Sequence, residues 1–567
     1  MRILYIDIDS LRPDHLGCYG YHRNTSPNID SLAADGARVR NLYASDTPCL
    51  PSRTAFFGGR FGTHTGVINH GGVCADLQPQ GRDRDFRSRA ATNSLASLLT
   101  QCGYWTASIS PFPRRHSAYQ MTYGFNETVD TGRGGLENAD EIFAEAKRWL
   151  DYRANHDNWF LHVNMWDPHT PYDTPASFGN PFAGDAIDPW INDEIIAKQR
   201  ASYGPHSARE VPDFDDHIDR ERWPLPWGRG EIIDLEDAKV HFDGYDCGIR
   251  YADEYVGRLV NLLDDAGVLD ETAIVIAADH GENLGELNVW GDHQTADEFT
   301  NHIPGIIRWP GATLPGKEVG GFHYHLDLAT TIVDLSSPKG KDLLSDAGWD
   351  GQSFAEALNT TSSDDQAREK LYLSQGAWSL QRTARWDKWI LIHTVDTGIK
   401  DFSEWTLFDL VNDPHQTTNL ARQHPEIIES EGADLTEHFA RMSADCPLGD
   451  PFKVVQSEGG PPPCPGQWHQ LGALPGPSPR NRPQGPCQLA RNERKYAQAA
   501  RPRCLLECSL SEYSFRSIFQ SSTAPVVGVS VAPCPTLRGL SRLGSVWMSG
   551  LFSTRLPIRG HGQARSL

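Results

Sequence analysis

The chain has 567 residues and a formal net charge of −22, long enough to bury a large core and to form more than one structural unit. An acidic balance of this size argues against nonspecific nucleic-acid binding, which needs a basic face. No apolar run approaches the ~18 residues needed to span a bilayer, and no basic-then-apolar leader precedes the first strand pattern, so a cytoplasmic protein without membrane or nucleic-acid partners is expected.

Ile3-Leu4-Tyr5-Ile6 reads as a buried parallel strand. It leads into Asp7-Ile8-Asp9-Ser10, an acid at the carboxyl end of a strand, where open α/β sheets place ligand chemistry. Ser26-Pro27 reads as the cap and first residue of a helix running to Gly36. The stretch Cys49-Leu50-Pro51-Ser52-Arg53, closed by Gly58-Gly59, predicts a helix with Cys49 at its positive end and Arg53 one turn on. Such a place favours an anion and lowers a thiol pKa. A buried cysteine before an ordinary helix is the plainer alternative. Residues 60–66 read as a glycine-rich loop.

Helices are expected over 91–102 and 142–150, and strands over 105–110 and 158–166, the latter running into Asp167-Pro168-His169. The pattern weakens over 175–242, read as an insertion of substrate-specific loops. A long helix over 245–263 precedes a strand over 273–278 that ends in Asp279-His280-Gly281-Glu282, and one more strand covers 303–309. This alternation predicts a mostly parallel sheet covered on both faces. Strands over 370–375 and 388–394 and helices over 425–442 indicate a small antiparallel α+β unit. The chain is therefore divided at 1–365, 366–458 and 459–567. The last segment is compositionally foreign: residues 461–567 carry 13 Lys and Arg against 3 Asp and Glu, a net +10 that leaves −32 on the preceding 460 residues. It reads as a disordered basic tail or as a reading-frame artefact. Cys18, Cys49, Cys74, Cys102, Cys247 and Cys446 are scattered and do not read as a disulfide framework.

Asp9 and Asp279 at two strand ends, with His280, offer hard oxygens and one imidazole, a donor set for Ca²⁺, Mg²⁺ or Mn²⁺. An ordinary polar turn and a helix-capping acid are the alternatives for each taken singly.

In this order, Leu16-Gly17-Cys18-Tyr19-Gly20, Cys49-Leu50-Pro51-Ser52-Arg53, Asp167-Pro168-His169, Asp279-His280-Gly281-Glu282 and Arg308-Trp309-Pro310-Gly311 resemble the blocks of the sulfatase family. Leu407 to Pro414 resembles that family's C-terminal subdomain. The resemblance implies an alkaline-phosphatase-like α/β core with a small C-terminal α+β subdomain, and hydrolysis of a sulfate ester carried by a small molecule or glycan. It implies that Cys49 is converted by a maturation enzyme to formylglycine, whose hydrate offers one hydroxyl to sulfur and a second through which sulfate is expelled. It implies a divalent metal on Asp9, Asp279, His280 and position 49, Ca²⁺ first, with Mn²⁺ or Mg²⁺ as alternatives. Arg53 would fix the hydrate, His169 would sit beside the sulfate, and Arg115 and His116 lie where the family often has Lys and His. A loop histidine satisfied by its neighbours is the alternative for His169.

Three departures stand out. Asp9 is followed by Ser10 where two adjacent aspartates are common, with Asp7 on the same strand face to compensate or to support from behind. Ser110-Pro111 replaces a usual Gly-Lys. Asp292 occupies the place of a common lysine, while His293 is retained. These departures resemble the phosphonate monoester hydrolase branch, so a phosphonate monoester or phosphodiester hydrolase with the same nucleophile is the second reading. A noncatalytic binder of sulfated ligands is the third. Oligomeric state is left open.

Overall fold

The fold grows from Arg2–Ile8 (β1), every residue of which is buried. In the computed structural model the described residues all fall within one compact unit, Met1–Pro475. The structure describes residues 1–461 except 79–88, 133–136, 203, 212–229, 361–366 and 399. The expected tail from 462 onward, and the centre of the expected insertion, therefore lie outside the described residues.

Among the described residues, eight strands form the main sheet: β1, Ala37–Tyr43 (β2), Trp105–Ile109 (β3), Glu127–Val129 (β4), Trp159–Met165 (β5), Thr272–Ala277 (β6), His302–Arg308 (β7) and Lys317–Tyr324 (β8). Their order is β8-β2-β7-β6-β1-β5-β3-β4, and β7 alone runs against the rest. The expectation of a mostly parallel sheet is met. Its helices fall into two sets. Pro27–Asp35 (α1), Ala139–Arg153 (α4) and Leu235–Asp265 (α5) pack together. Cys49–Gly58 (α2), Leu95–Gln101 (α3), His325–Ser336 (α6) and Pro338–Ala347 (α7) form the other layer.

Strand period and register position the site. Successive residues of β1 face opposite layers; Tyr5 stacks on Phe56 of α2 at 4.9 Å, so Tyr5, Asp7 and Asp9 all point toward α2. Asp7 lies opposite Ala277 of β6 in the register. Two residues further on, Asp9 and Asp279 leave their strands side by side. Full burial of Ile3, Leu4, Ile6 and Ile8 anchors that register, each such side chain contributing about 1.5–3 kcal/mol.

A second sheet comprises Lys370–Gln375 (β9), Leu380–Trp386 (β10), Trp389–Asp396 (β11) and Trp405–Asp409 (β12), antiparallel throughout, as expected. Its far edge is Asp46–Thr47, pairing parallel with β9. The chain thus passes through this sheet immediately before Cys49. Pro425–Ser443 (α8) follows.

Several sequence expectations are corrected. The long helix begins at Leu235, not 245, capped by Asp234, whose side chain accepts the amides of Glu236 and Asp237 at 3.0 Å each. Its first three turns escaped the apolar pattern because their buried face is polar: Asp243 is held by Lys239 and Arg23, and Asp246 by His15, Tyr21 and Arg23. The 91–102 helix is broken at Ser94, which caps α3 by accepting the Ser97 amide at 3.1 Å. The 60–66 loop contains a helical turn, Gly62–Thr65. No apolar run announces β2, whose Arg38 and Arg40 both reach Glu318 of β8. The six cysteines of the described residues are free. No helix among the described residues is long and apolar enough to cross a membrane.

Candidate active site

Helix α2 starts at Cys49, with Pro48 as its cap residue, and Pro51 fits the first turn because the missing amide would be unpaired there in any case. It ends at Gly59, whose φ of +63° lets its amide close on Ala55 and Phe56; a Cβ there would lie 1.9 Å from the Trp349 ring. Cys49 is 1% exposed. Burial, and next the Asp9 carboxylate, push its thiol up to about 12. The expectation of a lowered thiol pKa is overturned: desolvation outweighs the helix end, and Arg53 is engaged elsewhere.

Arg53 lies among three carboxylates. Its Nε donates to Asp7 at 2.8 Å and its Nη1 to Asp279 at 2.5 Å, while Nη2 is 3.0 Å from Asp9 Oδ2. That last contact is an ion pair without hydrogen-bond alignment, so Asp9 Oδ2 is buried with no hydrogen bond. The guanidinium rests on the Phe112 ring at 4.4 Å. Asp7 is backed by His162, 3.5 Å away, itself 2.9 Å from Ser108 Oγ.

Beside this cluster, Ser10 adopts φ +58°; its amide donates to Asp279 at 3.3 Å and its hydroxyl to Asp9 at 3.1 Å. His280 donates from Nδ1 to the Gly281 carbonyl at 2.7 Å, which fixes its tautomer and turns Nε2 to Cys49 Sγ at 2.9 Å and Asp279 at 3.3 Å. One donor atom from each of Asp9, Cys49, Asp279 and His280 falls within 4.8 Å of the others. These are the four expected metal ligands. Asp7 stands outside that group and supports Arg53 from behind. Burial pushes the Asp9 and Asp279 carboxyls up against the pull of Arg53, with Asp7 adding to both and Asp9 adding to Asp279. Three acids against one guanidinium leave room for two positive charges. The Asp9 oxygen left without a hydrogen bond and the mixed oxygen–nitrogen donors fit a divalent cation.

On the other side of Cys49 stand histidines. The loop after β5 is pinned by Asp167, which accepts the Ala139 amide at 2.7 Å. It presents His169 stacked on Trp166 at 4.3 Å, with Nδ1 donating to the Thr170 carbonyl at 2.6 Å. His293 places Nε2 3.8 Å from Cys49 Sγ and Nδ1 3.2 Å from Glu282. Burial opposes charge on His293, but Cys49, Asp292 and Glu282 hold its pKa well above the ordinary value. Burial, and then the charged His293, hold His169 and His280 well below theirs.

The expected pair Arg115 and His116 sits at the margin. Arg115 is exposed and covers the Trp166 ring at 4.2 Å. His116 stacks on Phe112 at 4.4 Å, faces His70 at 4.8 Å, and is held well below its ordinary pKa by burial. His70, which sequence reasoning missed, accepts the Leu50 amide at 3.3 Å and is pushed down to about 3 by desolvation. No motif marked it, lying as it does in an irregular loop. His206 was missed for the same reason. Its Nε2 is 2.9 Å from Asp292, and with His293 it holds that carboxyl well below its ordinary range despite burial. Asp292 in the lysine's place is therefore a neutralised anion.

A family model described as Sulfatase matches residues 2–337. Iduronate 2-sulfatase of Homo sapiens is 25% identical over 349 residues, covering 56% of this chain and 62% of that protein. Choline-sulfatase of Rhizobium meliloti is 26% identical over 439 residues, covering 70% of this chain and 77% of that protein. The match thus spans about three fifths of the length of the human iduronate 2-sulfatase. Among solved structures, a protein in complex with its substrate D-glucosamine-2-N,6-O-disulfate aligns with TM-score 0.60 at 19% identity, covering 79% of this chain and 99% of that one. The phosphonate monoester hydrolase of Agrobacterium radiobacter aligns with TM-score 0.56 at 20% identity, covering 78% and 96%. The fold is accordingly alkaline-phosphatase-like.

Proposed function

The chain belongs to the sulfatase family, and from that premise we propose that it hydrolyses a sulfate ester of a small molecule or glycan, with position 49 acting as formylglycine. The observation that carries this reading is the convergence of Asp9, Cys49, Asp279 and His280 donor atoms within 4.8 Å. A thiol pushed up to about 12 is a poor thiolate nucleophile, which supports a precursor role for Cys49.

Asp9, Asp279 and His280 would hold a divalent cation, Ca²⁺ or its alternatives Mn²⁺ and Mg²⁺, which supplies charge stabilisation for the sulfate oxygens and acidifies the nucleophile. The aldehyde hydrate at position 49 supplies an oxygen nucleophile and a second hydroxyl for expelling sulfate. The chain's own groups do the rest. Arg53, held by Asp7 at 2.8 Å, keeps the two metal-side carboxylates from repelling each other. His280 is locked by the Gly281 carbonyl, so its Nε2 stays aimed at position 49. His293, oriented by Glu282 at 3.2 Å, donates a proton toward the bound anion or the departing alcohol oxygen when its imidazole is charged. His169, fixed on Trp166 with its Nδ1 on the Thr170 carbonyl, turns Nε2 toward the sulfate and donates to one of its oxygens when that nitrogen is protonated. His116 and Arg115 line the outer wall. Residues 1–365 form the catalytic domain in this reading, and 366–458 the C-terminal subdomain.

The mass of the peptide carrying position 49, from protein made in its native host, tests the nucleophile: an aldehyde is expected, and an intact thiol in fully active protein refutes it. Ser10 in place of a second metal-side acid, with its hydroxyl on Asp9 at 3.1 Å, favours a second reading, a phosphonate monoester or phosphodiester hydrolase. Turnover of an aryl sulfate and an aryl phosphodiester by one preparation separates the two; a diester preference of orders of magnitude selects the second.

A further inference from the structure

Cys49 Sγ belongs to two donor groups at once. One is completed by Asp9, Asp279 and His280; the other by His169 and His293, again with all donor atoms within 4.8 Å. The second group contains no carboxylate. Its imidazoles are presented as zinc-binding imidazoles usually are, with the outer nitrogen tied to a carbonyl or carboxylate. His169 Nδ1 faces the Thr170 carbonyl at 2.6 Å and His293 Nδ1 faces Glu282 at 3.2 Å, so each Nε2 is turned inward. The three residues are 1%, 8% and 6% exposed.

The spacing suits a tetrahedral ion. Zn–S near 2.3 Å and Zn–N near 2.0 Å put sulfur and nitrogen about 3.5 Å apart around one centre. Cys49 Sγ and His293 Nε2 are 3.8 Å apart. One thiolate and two imidazoles, with a fourth position left for water, form a soft set that selects Zn²⁺ over Ca²⁺ or Mg²⁺.

We propose that the unconverted chain carries a soft-cation site on Cys49 Sγ, His169 Nε2 and His293 Nε2 that takes Zn²⁺, the protons of the Cys49 thiol and of the His293 Nε2 leaving to solvent as the Zn–S and Zn–N bonds form. Once position 49 is an aldehyde the sulfur is gone, and only the hard set of Asp9, Asp279 and His280 remains. Zinc on the thiol and conversion of the thiol are then mutually exclusive. This consequence rests on the reading that Cys49 is converted; zinc binding itself rests on three side chains alone.

The test uses full-length protein produced without conversion, the thiol verified by peptide mass. Co²⁺ should give a near-ultraviolet thiolate–cobalt band that Zn²⁺ displaces. The band should vanish in Cys49→Ser, persist in Asp9→Asn, and require about tenfold or more higher cobalt in His169→Gln and His293→Gln. In the wild type, excess Zn²⁺ should slow alkylation of Cys49 about tenfold or more, a readout that needs no variant. A cobalt affinity unchanged in both histidine variants, or a Cys49 alkylation rate indifferent to Zn²⁺, overturns the proposal. Converted protein that leaves sulfate esters intact would sink the hydrolase reading and leave the zinc site standing.

Discussion

Two halves of one pocket meet at Cys49, and they are built differently. The acid half is Asp7, Asp9 and Asp279 around Arg53. It stands on the ends of two paired central strands, so its geometry is inherited from sheet register. The imidazole half is His169 and His293 beside Cys49, with His70 and His116 behind. It comes from loops and turns, each ring oriented by a local carbonyl, carboxylate or aromatic face. The acid half is short of positive charge whatever its surroundings do. In the imidazole half, burial and neighbours shift the rings in opposite directions: the pKa of His293 is pushed up, while burial pushes those of His169, His116 and His70 down. A rigid half suits a fixed cation, and an adjustable half suits proton transfer and anion contacts.

The largest expected effect lies where the halves join. Cys49→Ala should lower sulfate-ester turnover by about 10⁴-fold or more while the circular dichroism spectrum stays that of the wild type. Next, Asp279→Asn should weaken divalent-cation affinity about 100-fold, measured by calorimetric titration; wild-type affinity would show that the cation does not sit on the acid half. Removing Arg53 leaves three buried carboxylates unopposed. Arg53→Met should cost about 3–5 kcal/mol of stability in chelator, and added cation should recover more of it in the variant than in the wild type, as read by thermal melts. On the imidazole half, His293→Gln should slow turnover about 10²-fold and leave Ca²⁺ affinity unchanged, which separates the two halves directly.

The smallest expected effect calibrates the electrostatics away from both halves. Asp253 accepts the amides of Asn28 and Ile29 at 3.0 and 2.8 Å, and burial pushes it up to about 6. Because this lies above the unfolded value of ~3.9, its contribution is complete below pH ~4 and is lost as pH rises through 6. Asp253→Asn should remove that slope, a change of about 2–3 kcal/mol at most between acid and neutral melts.

The legible parts of the molecule are those with a local signature. The apolar runs of β1, β5 and β6 marked the sheet centre, and the acids after β1 and β6 marked its functional edge. Cys49 and Arg53 were readable from proline and glycine placed at the two ends of α2. The first turns of α5 were not readable, because Asp243 and Asp246 are buried against Arg23 and His15 and a hydropathy pattern scores them as surface. β2 was hidden for a related reason, its arginines being spent on Glu318 of β8.

His70 and His206 show the limit of sequence reading most clearly. Each works through one contact with a distant element, the Leu50 amide and the Asp292 carboxylate, and nothing near either residue in the chain foretells it. The sequence by itself determined the parallel α/β core and the helix that begins at Cys49, because strand period, proline and glycine act locally, and it marked Asp9, Asp279 and His280 as candidate cation donors. Only the tertiary structure decided that Arg53 serves three carboxylates rather than the thiol, and that burial raises the thiol pKa instead of lowering it. Desolvation and long-range charge depend on what the whole fold brings around a side chain, and no local pattern records that.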